Sequence, residues 1–293
     1  MKNLITRWRS MPGSALLRMQ VLFLLITLAI GFSAVALLRS GDWTSFFANM
    51  GSELGGAAIT FVLLDQLLRN RERREEIAQV EAETKRDLID RMGSEVREVA
   101  APAADELRRH GWLTDGSLAN AMFRRANLEK VNLSNADLRG ANFHRARLAE
   151  ADFWRANLAQ CDMGGAWLIG ARLWDANIEG VNLWQARMQN ADLRRANCEN
   201  ALLNKAKLDE ADLRATNFKG ANFKDARLIG ANFHEAILTE ADFTGADLSG
   251  VNMRGAILRR AVFENAVFDG RTLLPDGKYW TPNRDLSGYL DDE

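Results

Sequence analysis

Catalysis and metal binding need reactive side chains that converge, and this chain of 293 residues has few to offer. Its histidines, His110, His144 and His234, are far apart, and neither Cys161 nor Cys198 has a His or Cys at zinc-ligand spacing. No phosphate-binding loop and no GxGxxG after a strand can be found. No enzyme, no metal and no cofactor are therefore expected. Two sets of residues could still do chemistry. Trp154 and Trp174, with Arg155, Arg194, Arg195 and Arg214, have the aromatic and guanidinium composition favoured at protein-binding hot spots. Glu53 is a carboxylate inside an apolar segment, where charge is costly and takes a partner or water. It could pack against Thr27 or Ser33, or it could handle a proton or an ion.

The tryptophans depend on a repeat to bring them together. Every fifth residue from Leu118 to Leu273 is Leu, Phe, Met, Ile or Cys, 32 positions without an insertion. Two residues earlier stands Ala almost throughout, with Val131, Val181 and Val251 as variants and Gly116, Cys161, Thr216 and Arg271 as exceptions. Between the two sits mostly Asn or Asp. A period of five fits neither an α-helix nor a flat strand. Small-in, polar-out, large-in is instead a short stretch of strand alternation, and the next two residues must turn the chain. Repeated, this winds a coil whose Leu and Phe fill the axis.

The segment ANFKDARLIGANFHEAILTEADFTGADLSG at 221–250 carries the motif A(D/N)LXX, and residues 118–273 resemble the pentapeptide-repeat family. That resemblance implies an all-β right-handed quadrilateral β-helix, a solenoid of about eight coils and roughly 38 Å at the strand spacing. Its ends need caps, because an open coil exposes interior and unpaired edge. Leu107, Trp112 and Leu113 are expected to form one cap. The tail 274–293, with Tyr279, Trp280 and Tyr289, is expected to form the other.

A 20-residue turn stacks positions 134, 154, 174, 194, 214, 234 and 254 as Ser, Trp, Trp, Arg, Arg, His and Arg. That column makes the partner patch. Against it, stacked tryptophans can be cross-strand packing alone, and Asp152, Asp175, Asp192 and Asp212 share the side. Trp167 and Trp184 fall on other sides and are given no role. His144 and His234 fall on opposite sides, and the two cysteines point inward as free thiols.

The N-terminal part reads differently. Met19 to Leu38 is uncharged and long enough to span a bilayer core of roughly 30 Å. It is too long for the apolar region of a signal peptide. A second apolar segment, Trp43 to Leu64, contains Glu53, with Gly51 and Gly55 at a spacing that lets helices approach. The expected anchor is 1–68, a transmembrane helical hairpin with helices at about 16–38 and 43–68. Lys2, Arg7, Arg9 and Arg18 precede it and Arg69, Arg71, Arg73 and Arg74 follow, against only Arg39 between the arms. The positive-inside rule then predicts a two-span protein of the bacterial inner membrane with both termini and the β-helix cytoplasmic.

Residues 69–117 are expected as a helical stalk and N-terminal cap. Ile77, Val80, Thr84, Leu88, Met92, Val96 and Val99 form a narrow apolar stripe that wants a partner, either another subunit in a homo-oligomer, which the membrane helices could also join, or the segment Ala103–His110 folded back. Pro102 is expected to end the long helix.

Lys and Arg number 38 against 39 Asp and Glu over the whole chain, and 21 against 19 within 118–273, so no nucleic-acid partner is expected. The preferred reading is a non-catalytic, membrane-anchored scaffold for an unknown protein partner. The resemblance also brings a runner-up, a DNA-mimicking regulator of type II topoisomerase, but a balanced surface lacks the duplex-like potential this needs. A proton- or ion-responsive membrane sensor rests on Glu53 alone.

Overall fold

The structure, a computed structural model, describes residues 13–284 and 286–291. Lys2, Arg7 and Arg9, which entered the orientation argument, lie outside the described residues. The chain divides into two compact units between Glu83 and Thr84. Its α-helices among the described residues are α1 (Gly13–Ser40), α2 (Trp43–Met92) and α3 (Arg97–Arg109). The second apolar segment and the following charged segment are thus one uninterrupted helix.

Within the first unit, α1 and the start of α2 are antiparallel. Ser33 near the end of α1 reaches Glu53, while Arg18 near its start pairs with Asp65 at 3.2 Å and also with Glu72. Both helices are long and apolar enough to cross a membrane. Phe23, Phe32, Ile59, Leu63 and Leu67 are all more than half exposed, an arrangement that water penalises and hydrocarbon does not.

In the second unit, α2 stops at Met92, and Pro102 lies inside α3, which corrects the expected helix end. The break belongs to Gly93. A Cβ there would come within 3.0 Å of the Met122 carbonyl oxygen and 3.2 Å of that of Asp90, so the backbone itself packs on the first coil. Pro102 forfeits its own N–H bond, and its ring crowds the Glu98 carbonyl one turn earlier. Packing outweighs that loss, since Ala100, Ala103, Ala104 and Leu107 of α3 are fully buried with Leu88 and Met92 of α2. Part of the apolar stripe is therefore covered by the folded-back segment, while Ile77, Val80 and Val96 stay more than half exposed. Trp112 and Leu113 complete this buried cap.

Residues 118 onward form a repeat solenoid. Parallel bridges link each outward residue to the one twenty positions on, as in Asn132, Asp152, Arg172, Asp192, Asp212, Asn232 and Asn252. Each pentad contributes one bridging residue, so four pentads make a coil with four sides. The bridges are isolated and not runs of strand, because two of every five residues are spent on the corner. At one such corner Ala126 N–H closes on the Phe123 carbonyl at 3.1 Å while Arg125 takes a φ of 58°. For a side chain other than glycine this conformation costs on the order of 1 kcal/mol. It persists because the corner N–H also bonds the next coil, Arg125 to His144 O at 3.0 Å.

Inward Leu and Phe fill the axis. Phe223 lies 4.7 Å from Phe243, and Phe243 lies 5.1 Å from Phe263, each pair nearly parallel. The expected frame holds to Phe268 and then shifts by one residue. Asn252 bridges Leu273, twenty-one positions on, and Leu274 and Thr272 are the buried residues of the last coil. The extra residue explains why Arg271 broke the Ala column: Thr272 occupies its place. At the C-terminal end Trp280 stacks on Phe268 at 5.7 Å, and Leu286, Tyr289 and Leu290 pack against the core. Tyr279, expected in this cap, is 62% exposed, because its backbone bridges Leu273 and turns the ring outward.

Cys161 and Thr216, two of the other exceptions in the Ala column, share one cause with Thr272 in its shifted place. The side chains of Cys161, Thr216 and Thr272 each donate to a carbonyl of the preceding coil: Leu138 at 3.0 Å, Leu193 at 2.8 Å and Leu248 at 2.9 Å. Burial pushes the Cys161 thiol up to about 12 and that of Cys198 well above its ordinary range. Thiolate is the reactive form, so neither cysteine should react with an aromatic disulfide reagent at pH 8 until the chain is unfolded. Rapid native labelling would show that the inward frame is wrong.

Candidate functional site

The coil period places Trp154 and Trp174 on adjacent rungs of one side, with ring centroids 6.3 Å apart and planes tilted by 38°. The Arg155 guanidinium lies 4.6 Å from the centre of Trp154, and that of Arg194 lies 5.4 Å from the centre of Trp174. A groove of about 530 Å³ runs along them, lined also by Ser134, Asp152, Arg172 and Asp192. A shallower one of about 390 Å³ continues from Trp174 past Arg195 and Arg214 to His234. All six residues singled out from the sequence thus lie on one side. Trp174 keeps 39% of its surface exposed, and the Trp154 Nε1 hydrogen is covered without an acceptor.

Electrostatically this side is mixed. Arg194 grips Asp192 with two bonds of 2.8 and 2.6 Å, and Arg214 grips Asp212 in the same way. Arg195 reaches Asp175 at 2.9 Å and Arg155 approaches the same carboxylate at 3.8 Å. Burial pushes the Asp192 carboxyl up, but the Arg194 guanidinium and backbone N–H, with the Arg214 charge, together hold it below its ordinary value. The arginines are fixed in place and largely neutralised. Such a surface suits a protein partner with its own mixed charge better than a polyanion.

The Asn and Asp column is satisfied locally. Its side-chain oxygens accept the backbone N–H two residues on, as Asn142 does from His144 and Asp152 from Trp154, both at 3.0 Å. On another side Asn157, Asn177, Asn197 and Asn217 form an amide ladder, each later side-chain N–H donating to the amide oxygen of the rung before, with three steps of 3.1 to 3.3 Å. The histidines do not converge: His144 faces Asp162 and His234 faces Glu235, each at 3.8 Å, and His110 stacks on Trp112 at 4.3 Å. Among the described residues no group of three or more His, Cys, Asp or Glu could hold a metal.

In the first unit Glu53 Oε2 accepts from Ser33 Oγ at 2.8 Å, and Ser33 is fully buried. Thr27, the other partner considered, bonds its own helix at the carbonyls of Phe23 and Leu24.

One cluster was missed. Trp167, given no role from the sequence, has the guanidiniums of Arg187 and Arg147 at 4.8 and 5.7 Å from its ring centre. The step of twenty that found Trp154 and Trp174 also gives Arg147, Trp167, Arg187, Lys207 and Arg227 as one column, and the bridges follow it.

Comparison with known proteins places this repeat. The family model described as pentapeptide repeats matches in eight copies over residues 109–140, 136–175, 175–209, 206–245 and 246–270. No curated protein matches the chain. Among solved structures, it is similar to HetL, a pentapeptide repeat protein involved in heterocyst differentiation regulation in Nostoc sp. strain PCC 7120. Identity is 28%, coverage is 55% of this chain and 81% of that one, and the TM-score is 0.32. QnrB1, a plasmid-mediated fluoroquinolone resistance protein, is 18% identical over 53% of this chain and 86% of its own, with a TM-score of 0.39. A pentapeptide repeat protein of the Arabidopsis thaliana thylakoid lumen is 27% identical over 43% and 66%, with a TM-score of 0.24.

Proposed function

The chain belongs to the pentapeptide-repeat family, and on that premise we propose that it is a non-catalytic, membrane-anchored scaffold whose solenoid binds a protein partner. The observation that carries this reading is the Trp154–Trp174 groove, an aromatic pair, Trp154 half-buried and Trp174 exposed, among fixed arginines. Its parts divide the work as anchor 1–68, stalk and cap 69–117, right-handed four-sided β-helix of about eight coils 118–273, and cap and tail 274–293. Support for four sides is the twenty-residue bridge period, and the hand follows from family resemblance. Exposed Ile77 and Val80 support association of copies along α2. The Ser33–Glu53 bond favours a packing role for Glu53 over a proton or ion site. The DNA-mimic reading has the balanced charge of the repeat against it, 21 basic to 19 acidic residues.

The anchor is a two-span hairpin of the bacterial inner membrane that leaves the solenoid in the cytoplasm. Support comes from Arg18 before the first apolar run and the arginines from Arg69 to Arg74 after the second. Reporter fusions after Arg74 and after Glu293 test it, and both should be active only in the cytoplasm. Periplasmic activity at both would leave a single span and remove a cytoplasmic partner from consideration.

A further inference from the structure

The side that carries Trp167 differs in kind from the tryptophan-pair side. Arg147, Trp167, Arg187 and Lys207 succeed one another on consecutive rungs, about 4.8 Å apart, joined by parallel bridges. At the neighbouring corner the column of long side chains, Arg125 and Arg145 before and Gln185 and Lys205 after, is interrupted by Gly165. Gly165 has a φ of 65°, and a Cβ there would already touch Arg145 Cγ at 3.4 Å. Its missing side chain opens a recess of about 440 Å³. Arg125, Arg145, Arg147 and Arg187 line it with Trp167, and Glu95 is its only carboxylate among the described residues.

Charge there is not cancelled as it is around Trp174. Glu95 approaches Arg125 at 3.8 Å, but among the described residues no carboxylate pairs with Arg145, Arg147 or Arg187. Like-charged guanidiniums so close would repel and wave in water. Instead Arg147 and Arg187 are held against the indole ring. A stacked guanidinium spends its flat face on the ring and keeps the N–H donors of its edge for an oxyanion.

We propose that the Gly165 recess is an oxyanion site that takes a phosphate group, with Arg147 and Arg187 as donors and Arg145 beside them. Four guanidiniums against one carboxylate leave an excess of three positive charges. A phosphomonoester or diphosphate matches that excess better than a single carboxylate does, and its oxygens can engage two forks at once. The phosphate can belong to a soluble compound or to a lipid headgroup. This site is independent of the tryptophan pair and of membrane orientation.

The test uses the full chain in neutral detergent micelles, titrated with sodium pyrophosphate in a calorimeter at low ionic strength. Saturable one-to-one binding is expected, weakening as salt rises. Arg147→Gln with Arg187→Gln should weaken it at least about tenfold, whereas Arg139→Gln with Lys219→Gln, which removes the same charge from another side, should not. Arg147→Lys with Arg187→Lys keeps charge and loses the forks, so an intermediate affinity is expected. Competition separates the sources: displacement by phosphatidic acid, a phosphomonoester lipid, in the micelle but not by glycerol phosphate assigns a headgroup, and the reverse assigns a soluble ligand. Absence of saturable binding overturns the site, as does binding that the double glutamine variant retains. A glutamate-rich peptide that binds through the same arginines without competition from pyrophosphate would make this an acidic-protein surface and overturn the phosphate assignment.

Discussion

Leu193→Arg is expected to unfold or truncate the solenoid, whereas Arg194→Ala, one residue on, leaves it standing. Leu193 is fully buried on the axis, and its carbonyl also accepts from buried Thr216 in the next coil. A guanidinium at that position has no carboxylate within the column. Burying an unpaired charge costs several kcal/mol, a large part of the stability of a domain this size. Because each coil rests only on its neighbours, the defect cannot be spread over a wide core. Arg194 points outward to Asp192 and Asp212 and lies over Trp174. Exposed pairs of this kind contribute about 0 to 1 kcal/mol, so its loss should stay within that range. Heating the full chain in micelles while following tryptophan emission decides the matter. A drop of ten degrees or more is expected for the first variant and a few degrees at most for the second. Equal shifts would mean that the inward and outward positions have been exchanged.

This contrast was legible in the sequence because a one-residue error of register turns every side chain over, and the pentad pattern admits only one register. The pattern alone assigns Leu193 to the axis and Arg194 to the surface. The register was misjudged at the last coil, where Leu273 continues the apolar count by coincidence and Leu274 takes the axis. The clue was there, since Arg271 made no sense in a column of small residues. The end of α2 was misjudged for another reason. Proline is a local signal, and the close approach of Gly93 to the Met122 carbonyl is a tertiary one that no neighbouring residue announces. The Trp154 side could be read because tryptophans draw attention. Applied to Trp167, the same step of twenty would have found Arg147 and Arg187, but their unpaired state depends on which carboxylates neighbouring sides present, and that requires the fold.

Replacing Trp154 and Trp174 together with alanine is expected to abolish capture of the protein partner while the solenoid keeps its thermal stability. Both rings lie outside the axis, and their removal takes nothing from the inward Leu and Phe column. What they offer a partner is rigid apolar area, pre-positioned by Arg155 and Arg194 at 4.6 and 5.4 Å. A ring already held in place loses little freedom on binding, so more of the burial appears as affinity. Truncating a hot-spot aromatic costs on the order of 2 kcal/mol, roughly thirtyfold in affinity, and two neighbouring ones exceed what a pull-down tolerates. Trp184 is the control: it is as exposed as Trp174, 39% in each case, and lies half a coil away on the opposite side. Proximity labelling from the solenoid in cells, compared among wild type, the double variant and Trp184→Ala, should therefore lose its partners only in the double variant. Equal loss with the control would mean that tryptophan removal damages the solenoid generally. Loss in neither would reduce the pair to packing between rungs, with Arg194 and Arg214 serving only their own carboxylates, and the scaffold would have to bind through a different side.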